Sequence, residues 1–88
     1  MPFGEDITFS RHALNQMGER GINQNEIIET IRSPEYTSKQ DTKRTRAVKR
    51  LRRNGKEYLL VVIYRSHPQG IKVVTVFITS KIHKYLYQ

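Results

Sequence analysis

The sequence predicts an α+β fold in which two N-terminal helices precede an antiparallel sheet of three to four strands. Three observations support this prediction. Two early segments carry helix-capping residues with apolar residues at helical spacing, an Asn-Gly pair then separates two strand-like runs, and a second turn sequence precedes a third run. With 88 residues, the chain is expected to form one domain over residues 1–88.

The first helix is expected to begin after Ser10 and to end at Gly21. Serine is a favoured N-cap because its hydroxyl accepts a hydrogen bond from the first helical turn, and glycine is favoured just past a helix C-terminus. Ala13, Leu14 and Met17 recur at helical spacing. These three side chains are therefore expected to face the core.

The second helix is expected to begin after Asn23, with Glu26 three residues later completing a capping box. The Ser33-Pro34 pair is expected to end it, because a residue before proline is disfavoured in helical conformation. Three isoleucines at helical spacing are expected to face the core: Ile27, Ile28 and Ile31.

The strands are expected from residue 36 onward. Asn54-Gly55 predicts a type I′ hairpin turn that places Leu51 opposite Tyr58 and Val48 opposite Val61.

A second reversal at 67–70 leads into a strand over 71–80, and residues 36–38 are the candidate fourth strand. Residues 58–64 and 71–78 are apolar on both faces and are expected to be central. Residues 45–53 alternate basic and apolar side chains, which favours an exposed or edge strand.

Positive charge is concentrated in the second half of the chain. Residues 39–88 contain 13 Lys and Arg against two acids, whereas residues 1–38 contain three Arg against six acids. A folded basic face is typical of a protein that binds a polyanion, although surplus bases can also simply maintain solubility. The candidate nucleic-acid-binding residues are Lys43, Arg44, Arg46, Lys49, Arg50, Arg52 and Arg53.

Composition argues against several other classes of protein. The absence of cysteine excludes disulfides and cysteine-containing zinc motifs, and the three histidines lack metal-ligand spacing, so neither a metal nor a cofactor is expected. The longest apolar run is seven residues, and acids stand near the N-terminus where a secretory signal would need bases. We therefore expect a cytoplasmic protein without membrane contact.

Polar residues of the first helix form one edge. His12, Gln16 and Arg20 follow one another at four-residue spacing. An imidazole at this edge is a candidate general base, and the alternative is a solvated histidine near a helix start.

Residues 9–22, with Ser-x-His-Ala at 10–13 followed by Met17 and by Arg-Gly-Ile at 20–22, resemble the opening motif of domain-of-unknown-function family 4258. The similarity extends over about residues 7–80. It implies two helices packed on a curved antiparallel sheet of the RelE/barnase type, a fold shared by metal-independent ribonucleases, many of which are toxins. Within this resemblance His12, Arg20 and Thr75 match family positions, while Gln16 stands where members commonly have arginine.

The implied activity is metal-independent RNA cleavage that leaves 2′,3′-cyclic phosphate ends. Such cleavage needs a base, cations that stabilise the phosphorane and an acid for the leaving oxygen. His12 is the candidate base, and Arg20, with Lys49 or Arg46, is expected to hold the phosphate. Two residues are candidate proton donors: Tyr64 and Lys81.

Two other functions are compatible with the sequence. A non-catalytic nucleic-acid-binding module is favoured by Gln16, and a docking module would present its basic face to an acidic partner such as an antitoxin. His67, in the second turn, is expected to be merely exposed. His83 belongs to a segment, residues 81–87, in which bases alternate with aromatic residues that suit stacking on nucleobases.

Overall fold

The computed structural model describes residues 6–82 and residue 84; the first five residues, His83 and residues 85–88 lie outside the described part. Seven elements follow one another: β1 (Asp6–Phe9), α1 (Arg11–Arg20), α2 (Gln24–Arg32), β2 (Tyr36–Lys39), β3 (Arg44–Arg53), β4 (Lys56–His67) and β5 (Gly70–Thr79). The α+β class is confirmed. None of the described helices is both long and apolar enough to span a membrane.

The sheet is larger than the sequence predicted. Its five strands lie in the order β1-β5-β4-β3-β2, and β1 runs parallel to β5 while all other pairs are antiparallel. The four strands β2 to β5 are antiparallel and include the candidate fourth strand, which is β2. The prediction missed β1, because its four residues carry too little pattern to be recognised before the helix. β3 was expected to be an exposed or edge strand. β2 pairs with its residues 45–48, so the edge prediction was wrong for that part, whereas among the described residues no strand pairs with residues 49–53 on that side.

The local signals for helix ends are confirmed. Ser10 Oγ accepts the Ala13 N–H at 3.0 Å, and Gly21 adopts a left-handed conformation with φ 64°. At the start of α2, Asn23 and Glu26 exchange hydrogen bonds of 2.9 and 3.1 Å in a capping box. These bonds satisfy backbone groups that the first helical turn leaves without partners.

Both helices pack on one face of the sheet, which we call the helical face. Ala13, Met17 and Ile27 are buried there against Leu60 and Val62 of β4. The two remaining isoleucines of α2, Ile28 and Ile31, are only half-buried, and the fully buried position is taken by Thr30, whose hydroxyl donates to the Glu26 carbonyl at 2.8 Å.

Leu14 does not face the core as predicted, because 49% of it is exposed. Its neighbours Ala13 and Met17, at 0% and 9% exposure, define the buried stripe of α1. One residue adds about 100° around a helix, so Leu14 projects away from that narrow stripe.

The opposite face has its own apolar cluster, in which Val48, Leu59 and Val61 are buried with Phe77 and Ile82 against them. Central β4 is thus apolar on both faces, as predicted.

The β3–β4 hairpin has the predicted register. Leu51 pairs with Tyr58 and Val48 with Val61. Asn54 and Gly55 both have positive φ, 51° and 79°, as a type I′ turn requires.

Candidate nucleic-acid interface

Strand alternation divides the basic residues of β3 between the two faces of the sheet. Successive side chains on a strand point to opposite faces. Lys49 and Arg53 share the helical face with Leu51, which packs against the helical core. The remaining cations share the opposite face with Val48: Arg44, Arg46, Arg50 and Arg52. The seven predicted binding residues therefore do not form one surface.

The two cations on the helical face hold the helices in place. Arg53 donates to the Glu26 carboxylate at 2.9 Å and to the Arg20 carbonyl at 3.4 Å, so it joins the end of α1 to the start of α2. Lys49 Nζ donates to the Ser33 carbonyl at 3.0 Å, just past the end of α2. A cation at a helix C-terminus is favourable because unsatisfied carbonyls gather there.

Near the hairpin tip, the opposite face carries cations with acidic or carbonyl partners. Arg50 forms ion pairs with Glu35 at 3.4 Å and with Glu57 at 3.9 Å. Arg52 is exposed and donates to the Gly55 carbonyl at 3.5 Å. This end of the sheet is therefore nearly balanced in charge.

Three cations lie side by side at the other end of the opposite face. Arg44 pairs directly with Arg65, and Arg65 pairs directly with Lys72, so β3, β4 and β5 each contribute one exposed cation to a row. We call these three residues the basic row. Neighbouring strands are about 4.8 Å apart, and like charges facing each other across strands are destabilising. A surface that retains such a row is suited to an anionic ligand.

Only one cation of the basic row has a salt bridge within the described residues. Asp41 accepts from Arg44 Nε at 2.9 Å and from its guanidinium terminus at 2.6 Å. The hydrogen bond from the Arg44 side chain, and next the one from the Lys43 backbone, lower the pKa of Asp41 to about 2. Asp41 therefore neutralises Arg44, while Arg65 and Lys72 retain their charge.

The loop from Gln40 to Lys43 is held next to the basic row. Asp41 Oδ1 accepts the backbone N–H groups of Lys43 and Arg44, both at 2.9 Å, and Gln40 N–H donates to the Arg44 carbonyl at 2.8 Å. Two adjoining cavities of about 380 and 370 Å³ share Lys43 and Arg65 in their walls. We call the basic row together with Lys39 and Lys43 the basic end of the sheet.

Sequence analysis missed Arg65 and Lys72, although a signal for them existed. The hairpin register places Arg65 opposite Arg44, and the reversal at 67–70 pairs His67 with Gly70, which sets Lys72 opposite Arg65. Extending the register set by each turn along its two strands would have predicted this row.

The five predicted catalytic residues are not brought together. His12 and Arg20 are exposed at opposite ends of α1, about 12 Å apart along the helix axis. Tyr64 packs against the core on the helical face, whereas Thr75, which pairs with Ile63, lies on the opposite face. Lys81 is exposed beyond the end of β5.

Arg20 and Arg46, which were expected to hold one phosphate together, lie on opposite sides of the sheet. α1 packs over β5 on the helical face, while Arg46 and Arg50 project from the opposite face of β3. Arg53 does approach Arg20, but its guanidinium donates to the Arg20 backbone carbonyl.

Gln16 has a structural partner. Its Oε1 accepts the Val76 N–H at 2.9 Å, and Ser10 binds the carbonyls of Val73 and Val74 through its N–H at 2.9 Å and its hydroxyl at 3.0 Å. β1 pairs with β5 only as far as Val73. Ser10 and Gln16 therefore continue the pairing of the β5 edge past the end of β1.

Across residues 6–82 and 84, no three His, Asp or Glu residues are grouped so that they could hold a metal ion. The model of one protein family, described as Domain of unknown function (DUF4258), matches residues 9–78 of the chain. Comparison with curated proteins and with solved structures gave no match.

Proposed function

The chain belongs to the DUF4258 family, and from this premise we propose that it is an RNA-binding protein that holds the sugar-phosphate backbone at the basic end of its sheet. The observation that carries the proposal is the basic row, in which Arg65 and Lys72 face each other beside Arg44, whose charge Asp41 already neutralises. Phosphates neutralise such a row, and arginine makes forked hydrogen bonds to phosphate oxygens.

The choice of RNA rests on the grouping with metal-independent ribonucleases of the RelE/barnase type that the resemblance to this family implies. The fold agrees with that grouping in its two helices on one face of a largely antiparallel sheet. The net charge of +8 favours any polyanion, so the ligand class must be tested directly.

The test compares two double variants that remove the same charge from opposite ends of the sheet. Arg65→Ala with Lys72→Ala removes two cations of the basic row, and Arg52→Ala with Lys56→Ala removes two exposed cations near the hairpin tip. Fluorescence anisotropy with a single-stranded RNA lacking terminal phosphates measures affinity as a function of salt concentration.

Loss of two phosphate contacts is expected to reduce the slope of log K against log salt by about 1.4 and to weaken binding at least tenfold. The RNA affinity of the hairpin-tip variant should stay within about threefold of that of the unmodified protein, because exposed charges away from the ligand contribute little. Equal losses in both variants would reduce the proposal to non-specific attraction. Equal affinity for DNA of the same sequence would overturn the assignment to RNA.

Metal-independent RNA cleavage of the toxin type is a second candidate, favoured by the position of His67. This exposed imidazole lines the same cavity as Arg65 and Ser66. A general acid or base beside a phosphate-binding cation is what such cleavage requires. Gln16 favours binding without cleavage, because its side chain is engaged with the β5 backbone and supplies no cation.

Cleavage is tested by incubating RNA with the protein in EDTA and comparing His12→Ala with His67→Ala. Products ending in 2′,3′-cyclic phosphate, lost only in His67→Ala, would place the chemistry at the basic end of the sheet. Loss only in His12→Ala would place it on α1. Intact RNA in all samples, together with salt-dependent binding, would indicate a protein that binds RNA without cleaving it.

A further inference from the structure

The larger cavity at the basic end, of about 380 Å³, lies between the loop after β2 and the last residues of β4. Three cations from three separate segments line it: Lys39 from β2, Lys43 from the loop and Arg65 from β4. The remaining lining residues include three with hydroxyl groups and one imidazole: Thr42, Thr45, Ser66, His67 and Pro68. Cations together with hydroxyl donors are the groups that bind phosphate oxygens.

The charge of this cavity exceeds what an internal phosphate of RNA needs. Among the described residues no Asp or Glu lines it. The nearby Asp41 lines the neighbouring cavity instead and binds Arg44. A phosphodiester carries one negative charge, whereas a terminal phosphomonoester carries about 1.5 to 2 at pH 7 and has an additional charged oxygen. Three cations in one cavity wall therefore match a terminal phosphate better than an internal one.

The cavity wall is also partly pre-organised. Asp41 fixes the backbone N–H groups of Lys43 and Arg44, so the loop is held before any ligand arrives. Holding a binding loop in place reduces the ordering cost of association. A volume of about 380 Å³ falls in the range of small-ligand sites and accommodates a phosphate with its sugar.

We propose that this cavity binds the terminal phosphomonoester of a nucleotide chain, while the basic row holds the adjoining backbone. This inference rests on the proposed RNA-binding function and specifies which part of the RNA enters the cavity. The chemistry is that of a phosphomonoester on a ribose, and the 5′ and 3′ ends of a strand are its two sources.

The experiment uses the full ¹⁵N-labelled chain and four probes: UpU without a terminal phosphate, pUpU, UpUp and inorganic phosphate. Amide shifts are followed at pH 7.5, where the second ionisation of a phosphomonoester is largely complete. We expect one of the two phosphorylated dinucleotides to bind at least about tenfold more tightly than UpU, as one or two charge-assisted hydrogen bonds provide. The largest shifts are expected at Lys43, Ser66 and His67.

Lys43→Ala is expected to remove most of that advantage, so that its affinities for UpU and for the phosphorylated dinucleotide differ by no more than about twofold. Lys39→Ala provides a second exposed position that does not threaten folding. Lys56→Ala, an exposed lysine at the opposite end of the sheet, is the matched control and should retain the full advantage.

Equal affinity for UpU and both phosphorylated forms would overturn the inference. Inorganic phosphate binding as tightly as the phosphorylated dinucleotide would also overturn it, because the site would then recognise an ion rather than a nucleotide end. The RNA used to test the proposed function lacks terminal phosphates, so its binding does not depend on a terminal-phosphate contact, although Arg65 belongs to both the basic row and this cavity. RNA binding without any preference for a phosphorylated end would overturn this inference but not the proposed RNA-binding function.

Discussion

Replacing Arg53 with alanine should destabilise the fold without weakening RNA binding, although the sequence placed Arg53 among the RNA-binding residues. Its guanidinium bonds the Glu26 carboxylate at 2.9 Å and the Arg20 carbonyl at 3.4 Å, so it joins both helices to the β3–β4 hairpin. These contacts lie on the helical face, away from the basic row.

The magnitude follows from the partial burial of this ion pair. The Arg53 and Glu26 side chains are 29% and 25% exposed. Hydrogen bonds to charged groups contribute about 1.5–3 kcal/mol, and solvent screening of a partly exposed pair lowers this to about 1–2 kcal/mol. For a domain of this size that loss corresponds to a decrease in Tm of roughly 5–10 °C.

Urea unfolding measures the effect, and Arg52→Ala is the matched control. Arg52 is adjacent in sequence, exposed, on the opposite face, and bonded to the Gly55 carbonyl at 3.5 Å. Its replacement should change the free energy of unfolding by less than about 0.5 kcal/mol. The m-value should remain the same in both variants, because the surface exposed on unfolding is unchanged.

A double-mutant cycle isolates the ion pair. Glu26→Gln retains an amide oxygen for the capping box but removes the charge that faces Arg53. Arg53→Ala should therefore cost about 0.5–1 kcal/mol less in that background. Equal stabilities of Arg53→Ala and Arg52→Ala would refute the structural role. If Arg53→Ala lost as much RNA affinity as the basic-row double variant, Arg53 would have to be counted among the RNA-binding residues.

Three further outcomes are expected. Gln16→Ala should lower the free energy of unfolding by about 1–2 kcal/mol, because the Val76 N–H loses its acceptor, and Gln16→Glu, which keeps an acceptor oxygen, should lose less in the same urea titration. Gly18→Ala should raise it by about 1 kcal/mol, since no atom lies within 4 Å of the added Cβ in this exposed helix interior; a loss would contradict the open space seen there. The carboxyl resonance of Asp41 should titrate near pH 2, and its midpoint should move up toward 3.8 in Arg44→Ala. The stability that this depressed pKa provides should be present above about pH 4 and lost as the pH falls toward 2. An unchanged midpoint in the variant would contradict the assigned cause.

The site was less accessible to sequence reasoning than the fold. The seven predicted binding residues follow one another along a single segment, but alternation sends Lys49 and Arg53 to the helices and leaves Arg44 in the basic row. Arg65 and Lys72 come from later segments and join Arg44 only through strand register. Charge density along the chain therefore predicted a polyanionic ligand but did not predict which cations lie together on one surface.

The sequence by itself determined the features that neighbouring residues complete. A cap is satisfied within three residues, as at Asn23, and a two-residue turn such as Asn54-Gly55 sets the register of the strands it joins. The tertiary structure decided which face of the sheet the helices cover, and through it which cations became anchors and which stayed exposed. It also decided the pairing of β1 with β5, because that pairing joins segments more than sixty residues apart and depends on burying Ile7 and Phe9 against the helical core. Such distant contacts depend on the packing of the whole domain, which no short stretch of sequence encodes.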